Sequence, residues 1–452
     1  HEGQRLEFLV FFGFGKLAMF IHMRRVNPFV PNNPVHPGMF SGRNAEIKSI
    51  DRALFQTKNG NPTHILLIGE RGIGKTSLML FAEAVARGEI PNDRTGFDFI
   101  TVRFSLMDNM TLSDLAFKIS EEVKKALDGE SKALEYINKI WSFAKRLDLK
   151  TPMGGVSIKE EISQKSTTQI ISELTHSLSE TIDAVTIKAS TDLGLIRGKD
   201  GLVIMIDEAD KASSDLNLGA FLKNLTEALP SMKTNKLLII LSGLPELRQV
   251  LVDSHPSSLR LFDDYELRPL SKEEVEEVIS AGIHISNTEI SGESKKLRFE
   301  QEAVSKIFEY SEGYPHFVQQ ICASSFDVNT DDILSNKDID SGFFGEKGAL
   351  DRIGDRYYQN IYQQCPKFSR EILVIMAEKG NRWVSREEIK KAFRGKAGSL
   401  DQGIKTLKEK GAILKKGDSR GEYRLQWRSF AFWLKFRSIQ ESADKKYVSP
   451  RV

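Results

Sequence analysis

The sequence predicts an α/β chain: first a parallel sheet covered by helices, then a helical unit, then a winged helix-turn-helix. Three observations carry this expectation. From His64 to Leu270, short apolar runs alternate with segments of helical spacing, the pattern of a parallel sheet with helices on its faces. After Pro269 the strand signal stops. From residue 349 onward, three helical segments precede a short hairpin, which is the order of a winged helix.

Asn27–Gly38 carries four prolines and reads as an extended lead-in. Phe40–Leu54 has helical spacing from about Asn44. His64–Gly69 is a buried strand by its unbroken apolar run, and residues 76–87 follow as a helix. Further strands are expected at Phe97–Leu106, Gly201–Asp210, Lys236–Gly243 and Asp264–Leu270, with a helix at Ala220–Ala228. Residues 111–200 read as a mostly helical insertion with a hairpin or loop near Leu149–Ile158. Ser271 with Glu274 three residues later is a helix-capping pair. It opens a helical subdomain over 272–325, and the polar stretch Asp327–Lys347 reads as a linker. In the last unit, helices are expected at about 367–379, 385–394 and 399–410, then two strands around Gly417–Gly421. The expected division is therefore 23–270 (core), 271–340 (helical lid) and 349–452 (winged helix).

At 452 residues the chain is too long for one compact core, and two to four domains are expected. With 40% hydrophobic and 28% charged residues it reads as soluble and globular, not disordered. A formal charge of +2 excludes a polyanion binder of the whole-surface kind, so any basic surface must be local. Cys322 and Cys365 stand far apart in no metal-ligand spacing and read as reduced thiols of a cytoplasmic protein. The apolar run Phe8–His22 is too short for a span and is interrupted by Lys16, which argues against a membrane anchor. We expect Met23 to be the start of the natural chain and residues 1–22 to be upstream sequence.

The strongest chemical signal is Gly69-Glu70-Arg71-Gly72-Ile73-Gly74-Lys75-Thr76, followed by Ser77. It fits G-x-x-x-x-G-K-[ST] at every position and lies between a strand and a helix. Its glycines let backbone N–H groups approach phosphate oxygens, and the following helix aims its N-terminal dipole at the same anion. Lys75 is expected on the β- and γ-phosphates of ATP, and the Thr76 hydroxyl on Mg²⁺. Asp207-Glu208 ends an apolar strand, where ligands bind in open α/β sheets. Asp207 is expected to hold the Mg²⁺ shell and Glu208 to polarise the attacking water.

On these two motifs the chain resembles AAA+ P-loop ATPases, nearest to the bacterial and archaeal group that includes replication initiators and STAND switches. The resemblance covers about residues 27–440 and implies an ATP-hydrolysing switch that forms homo-oligomers. It implies further site residues. Ser242, closing the strand Leu237–Leu241, takes the sensor-1 place that holds the lytic water. Arg260 takes the place of an arginine finger offered to a neighbouring subunit. Phe40 and Arg43 fall in the segment that packs on adenine. Gly313-Tyr314-Pro315-His316 resembles the start of the sensor-2 helix, but His316 stands where many members carry arginine.

Between Asp401 and Arg437 there are ten Lys or Arg against four acids. They are Lys405, Lys408, Lys410, Lys415, Lys416, Arg420, Arg424, Arg428, Lys435 and Arg437, placed on the expected recognition helix and wing. Such a surface suits DNA phosphates. The aromatic run Trp427, Phe430, Phe432, Trp433 and Phe436 suits either a core or a partner surface. Three readings stay open: a DNA-associated ATPase, a STAND-like signalling ATPase whose winged helix docks a partner protein, and a nucleotide-gated regulator with negligible turnover.

Overall fold

The computed structural model describes residues 26–90, 96–127, 131–142, 167–186, 198–231, 235–288, 296–380, 382–416 and 421–447. The run Phe8–His22 and the hairpin or loop expected at Leu149–Ile158 lie outside them. Among the described residues, no helix is long and apolar enough to cross a membrane.

Five strands form one parallel sheet: β1 (His64–Ile68), β2 (Ile100–Ser105), β3 (Leu202–Asp207), β4 (Leu237–Gly243) and β5 (Phe262–Glu266). Their order across the sheet is β2-β3-β4-β1-β5. The three inner strands are buried along their whole length, which is why they read as unbroken apolar runs. On one face, the helices Asn44–Lys58 and Lys75–Ala86 pack on Ile65, Leu67, Val203 and Met205. On the other, Leu112–Ala126, Thr167–Thr186 and Leu218–Ser231 cover Leu66, Ile68, Ile204 and Ile206. The strand expected at Asp264–Leu270 starts two residues earlier and stops at Glu266, because its partner β1 ends at Ile68.

Beyond the sheet, a lid is built from the helices Lys272–Thr288, Gln301–Ser311 and Pro315–Val328. The expected cap is present: Glu274 N–H donates to Ser271 Oγ at 3.2 Å, and Ser271 N–H to Glu274 Oε2 at 2.9 Å. Two expectations are corrected here. The polar stretch Asp327–Lys347 is folded and is no linker. In it β7 (Ile333–Leu334) pairs with β6 (Arg298–Phe299), so strand structure also continues after Pro269. The helix Asn336–Phe344 then buries Ile339 and Phe343 completely. Ser335 and Asp338 cap that helix reciprocally, and its few apolar residues share one face. Mean polarity hid them.

The C-terminal unit opens with a bent helical segment, Ala349–Ile353, a π turn Gly354–Tyr358 and Gln359–Gln364. The helices Lys367–Glu378, Arg386–Ala392 and Ala397–Glu409 follow as expected. The hairpin is β9 (Ile413–Lys415) and β10 (Glu422–Leu425), with a third strand, β8 (Val384–Ser385), on the other side of β10. A final helix, Arg428–Tyr447, carries the aromatic run. Phe430 stacks on Tyr358 at 4.7 Å between ring centres, and Trp433 lies edge-on to the same ring. Phe430 and Trp433 are core, Trp427 and Phe432 pack against it half-buried, and Phe436 is exposed, stacked on Phe344. Lid and winged helix share one hydrophobic cluster that includes Ile321, Phe343, Ile353 and Phe430, separate from the two clusters on the sheet faces.

Candidate nucleotide site

The loop Gly69–Gly74 joins β1 to the helix Lys75–Ala86. Gly72 and Gly74 have φ of 75° and 98°, in the left-handed region that favours glycine. The first turn of the helix therefore turns its unpaired N–H groups toward the loop. Lys75 Nζ donates to the carbonyls of Gly69 at 2.6 Å and Glu70 at 3.0 Å. Burial lowers the Lys75 pKa from its ordinary value, opposed by the nearby Asp207 and Asp210.

Asp207 is the centre of the site. Thr76 Oγ1 donates to its Oδ2 at 2.7 Å, Glu208 N–H donates to its Oδ1 at 2.9 Å, and Ser242 Oγ donates to the same Oδ1. Asp207 is 5% exposed and Ser242 fully buried. β3 and β4 run side by side to this point, so strand register brings Ser242 to Asp207. The structure thus gathers Thr76, Asp207 and Ser242 around one point, beside the loop that holds Lys75. A hydroxyl and a carboxylate in contact are hard oxygen donors of the kind Mg²⁺ takes. Glu208 sits at φ 52° just beyond β3, half-exposed, with its carboxylate 2.6 Å from Lys211 Nζ. Asp210 was not singled out from sequence. Its Oδ1 accepts the Leu244 N–H at 2.9 Å and ties the turn after β3 to the turn after β4. The available signal was the third acid of the run Asp207–Asp210.

Beside the loop lies a cavity of about 250 Å³ lined by Val30, Pro34, Phe40, Pro315, His316 and Gln319, among others. The proline-rich lead-in forms one wall, anchored where Val35 N–H donates to Ser77 Oγ at 3.1 Å. Phe40 stacks on Phe81 at 5.1 Å. Arg43 lines the cavity too, but its guanidinium donates to the Ile73 carbonyl at 2.9 Å, bracing the loop from behind. His316 N–H donates to the Gly72 carbonyl at 3.2 Å. Burial, and secondarily Arg356, lowers the His316 side chain to a pKa of about 4, so it is neutral at pH 7. Glu70 turns its carboxylate to Tyr314 and Gln426. Ile73 is buried and Arg71 exposed.

Residues 39–240 match the family model described as an AAA ATPase domain. Over these residues the chain is similar to AAA ATPase domains. A Methanocaldococcus jannaschii protein described as an uncharacterized HTH-type transcriptional regulator is 23% identical over 367 residues, which cover 79% of each chain. The Aeropyrum pernix ORC2 protein, solved in ADPNP–ADP complexes, has a TM-score of 0.54 at 12% identity, covering 91% of this chain and 98% of its own. At that identity the likeness concerns the fold. A Walker-type ATPase of Pyrococcus abyssi aligns over 88% of this chain and 96% of its own, at 16% identity and a TM-score of 0.47.

Arg260 is not brought to the loop Gly69–Gly74 of its own chain. It is exposed on the short turn Ser258–Leu261 just before β5. β5 begins opposite His64, the first residue of β1, whereas the phosphate loop follows the last. The two lie roughly 15 Å apart along the sheet.

The basic count in the winged helix also changes. Arg424 and Arg428 face the lid, Arg424 lying 3.8 Å from Glu312 and Arg428 2.5 Å from Glu309. Arg437 lies over the Tyr362 ring and bonds Gln359. Lys416 pairs with Glu422, and Lys410 donates to Gln364. Arg420 is outside the described residues. Among the described residues, exposed cations remain at Lys408, Lys415, Lys435 and Lys405, the last 3.9 Å from Glu409. Lys390, Lys391, Arg394 and Lys396, around the turn between the second and third helices, add to them and were missed from sequence.

Proposed function

We propose that this chain is a Mg²⁺-dependent ATPase switch that works as a homo-oligomer in the cytoplasm and acts on DNA through its winged helix. The observation that carries the ATPase reading is the convergence of Thr76 and Ser242 on Asp207, beside the glycine loop whose carbonyls hold Lys75. Lys75 would leave the Gly69 and Glu70 carbonyls to bind the β- and γ-phosphates. Thr76 and Asp207 would hold Mg²⁺, which supplies charge neutralisation on the phosphate oxygens. Glu208 would leave Lys211 to orient the attacking water and accept its proton. Ser242 fixes the Asp207 carboxylate from the far side. The base packs in the cavity beside Phe40, and neutral His316 offers at most an uncharged hydrogen bond. Arg260 stands exposed at the end of the sheet opposite the phosphate loop, which supports a finger supplied to a neighbouring copy.

The HTH description of the M. jannaschii relative supports DNA as the target. So do the exposed cations between Lys390 and Lys415. The inward turn of Arg424 and Arg428 favours the second reading, a winged helix that packs on protein as in a STAND-like signalling ATPase. The two free, buried cysteines suit a cytoplasmic protein.

The ATPase reading is tested by two variants, with nucleotide binding and phosphate release measured on each. Lys75→Ala should lose binding. Glu208→Gln should keep binding and lose about 10²–10⁴ in turnover. Equal loss of binding and turnover in Glu208→Gln would remove Glu208 from the role of base.

A further inference from the structure

Glu70 is the second residue of the phosphate loop, and the other half of the molecule holds its carboxylate. Tyr314 of the lid donates its hydroxyl to Oε2 at 2.9 Å, and Gln426 of the winged helix donates Nε2 to Oε1 at 2.8 Å. Gln426 stands at the end of β10, with its own N–H fixed to the Ala412 carbonyl at 3.0 Å. Two residues along the loop, the Tyr357 hydroxyl abuts Gly72 so closely that a Cβ there would lie 2.4 Å from it. His316 N–H holds the Gly72 carbonyl. All four residues belong to the lid and winged helix, which share one core. The phosphate loop is one place where they meet the sheet domain; Glu274, which accepts the Arg43 N–H at 2.8 Å, is another.

We propose that the Glu70 clasp is a latch, in which a winged helix docked on Glu70 and a nucleotide bound at the loop oppose one another. The inference rests on the ATP-binding reading above. Two features of the loop give the sign. Lys75 is bonded to the carbonyls on either side of the Glu70 Cα, so a phosphate that takes its ammonium releases the main chain that carries Glu70. The phosphates also bring negative charge to a loop whose carboxylate is held in place by Tyr314 and Gln426, and like charges repel more strongly in a partly buried setting. Nucleotide therefore loosens the clasp. By reciprocity, loosening the clasp tightens nucleotide binding by the same factor.

The test uses the full chain, a non-hydrolysable ATP analogue with Mg²⁺, and hydrogen exchange of residues 422–428. In the wild type, saturating analogue should lower the protection of 422–428. Gln426→Ala should show lowered protection without nucleotide and should bind the analogue about tenfold more tightly, the scale of one hydrogen bond to a charged group. Gln426→Glu should bind more tightly still, since its carboxylate would repel Glu70, whereas a merely structural role for Gln426 gives no such order. Tyr314→Phe removes only the hydroxyl and reads the same latch should a Gln426 variant fail to fold. Affinities within twofold of wild type in these variants overturn the latch. So does protection of 422–428 that ignores the analogue. A wild type that binds no nucleotide overturns both this inference and the ATPase reading, whereas a binding wild type with unresponsive variants overturns the latch alone.

Discussion

The phosphate loop and the winged helix were both singled out by charged residues in a pattern, and folding treated them in opposite ways. At the loop, Thr76 and Ser242 both bond Asp207, and Lys75 bonds the loop's own carbonyls. In the winged helix, Arg424, Arg428 and Arg437 turn inward to Glu312, Glu309 and Tyr362, and the outward charge shifts to Lys390, Lys391, Arg394 and Lys396. The difference is one of cause. A phosphate loop is a local backbone geometry, set by glycines at positive φ between a strand and a helix. A surface charge has no local geometry, and its partner depends on which element packs beside it.

The largest effect expected from this contrast concerns Arg260, a charge whose partner would lie on another copy. Arg260→Ala should lower turnover by about 10³–10⁵. Mixing it with Glu208→Gln should restore part of the activity at mixed interfaces. Turnover that is independent of protein concentration in a strictly monomeric enzyme would place Arg260 among ordinary surface charges.

Next in size is the shared core of lid and winged helix. Phe343 is fully buried there, and Phe343→Ala should cost about 3–5 kcal/mol. Hydrogen exchange should show 272–344 and 367–447 losing protection together while the sheet keeps its own. Separate loss in the two segments would break the two-body comparison and return the winged helix to an independent unit.

The parallel sheet carries its own marker in His64. Its Nδ1 accepts the Ile239 N–H at 3.2 Å, and burial lowers its pKa to about 4. The unfolded chain takes up this proton near pH 6.5, so the native state is favoured above that value and loses stability as pH falls toward 4. The loss is of order 3 kcal/mol. Urea melts at pH 7 and 4.5 should differ less in His64→Gln than in the wild type. An unchanged difference would mean that His64 contributes nothing to the pH dependence.

The smallest effect separates outward from inward charge in the winged helix. If the unit binds duplex DNA, Lys408→Ala and Lys415→Ala should each reduce the slope of log K against log salt by about 0.9. Arg424→Ala and Arg428→Ala should leave that slope unchanged and loosen the unit from the lid. Equal slopes in all four variants would erase the distinction, and absence of binding at low salt would favour a protein partner.

Much of the fold was legible because periodicity is local. The inner strands announced themselves as unbroken apolar runs, and Ser271 with Glu274 announced a helix start. The segment 327–347 was not legible: Ile339 and Phe343 are two apolar residues in a polar stretch, and only the lid opposite shows that they face inward. The final helix Arg428–Tyr447 was missed because its aromatics suit a core and a partner surface equally until Tyr358 and Phe343 are placed against them.

What the residues alone determined is the phosphate loop, the acid pair that follows β3 and the parallel strands that carry them. Each is encoded in contiguous sequence, where backbone sterics and strand burial leave few alternatives. Tertiary structure decided the rest. It turned Glu70 from a loop position into the contact gripped by Tyr314 and Gln426, set Arg43 behind the loop and aimed Arg424 and Arg428 at the lid. Those partners lie far apart in the chain, and a side-chain contact exists only once the packing of two bodies has chosen which surfaces meet.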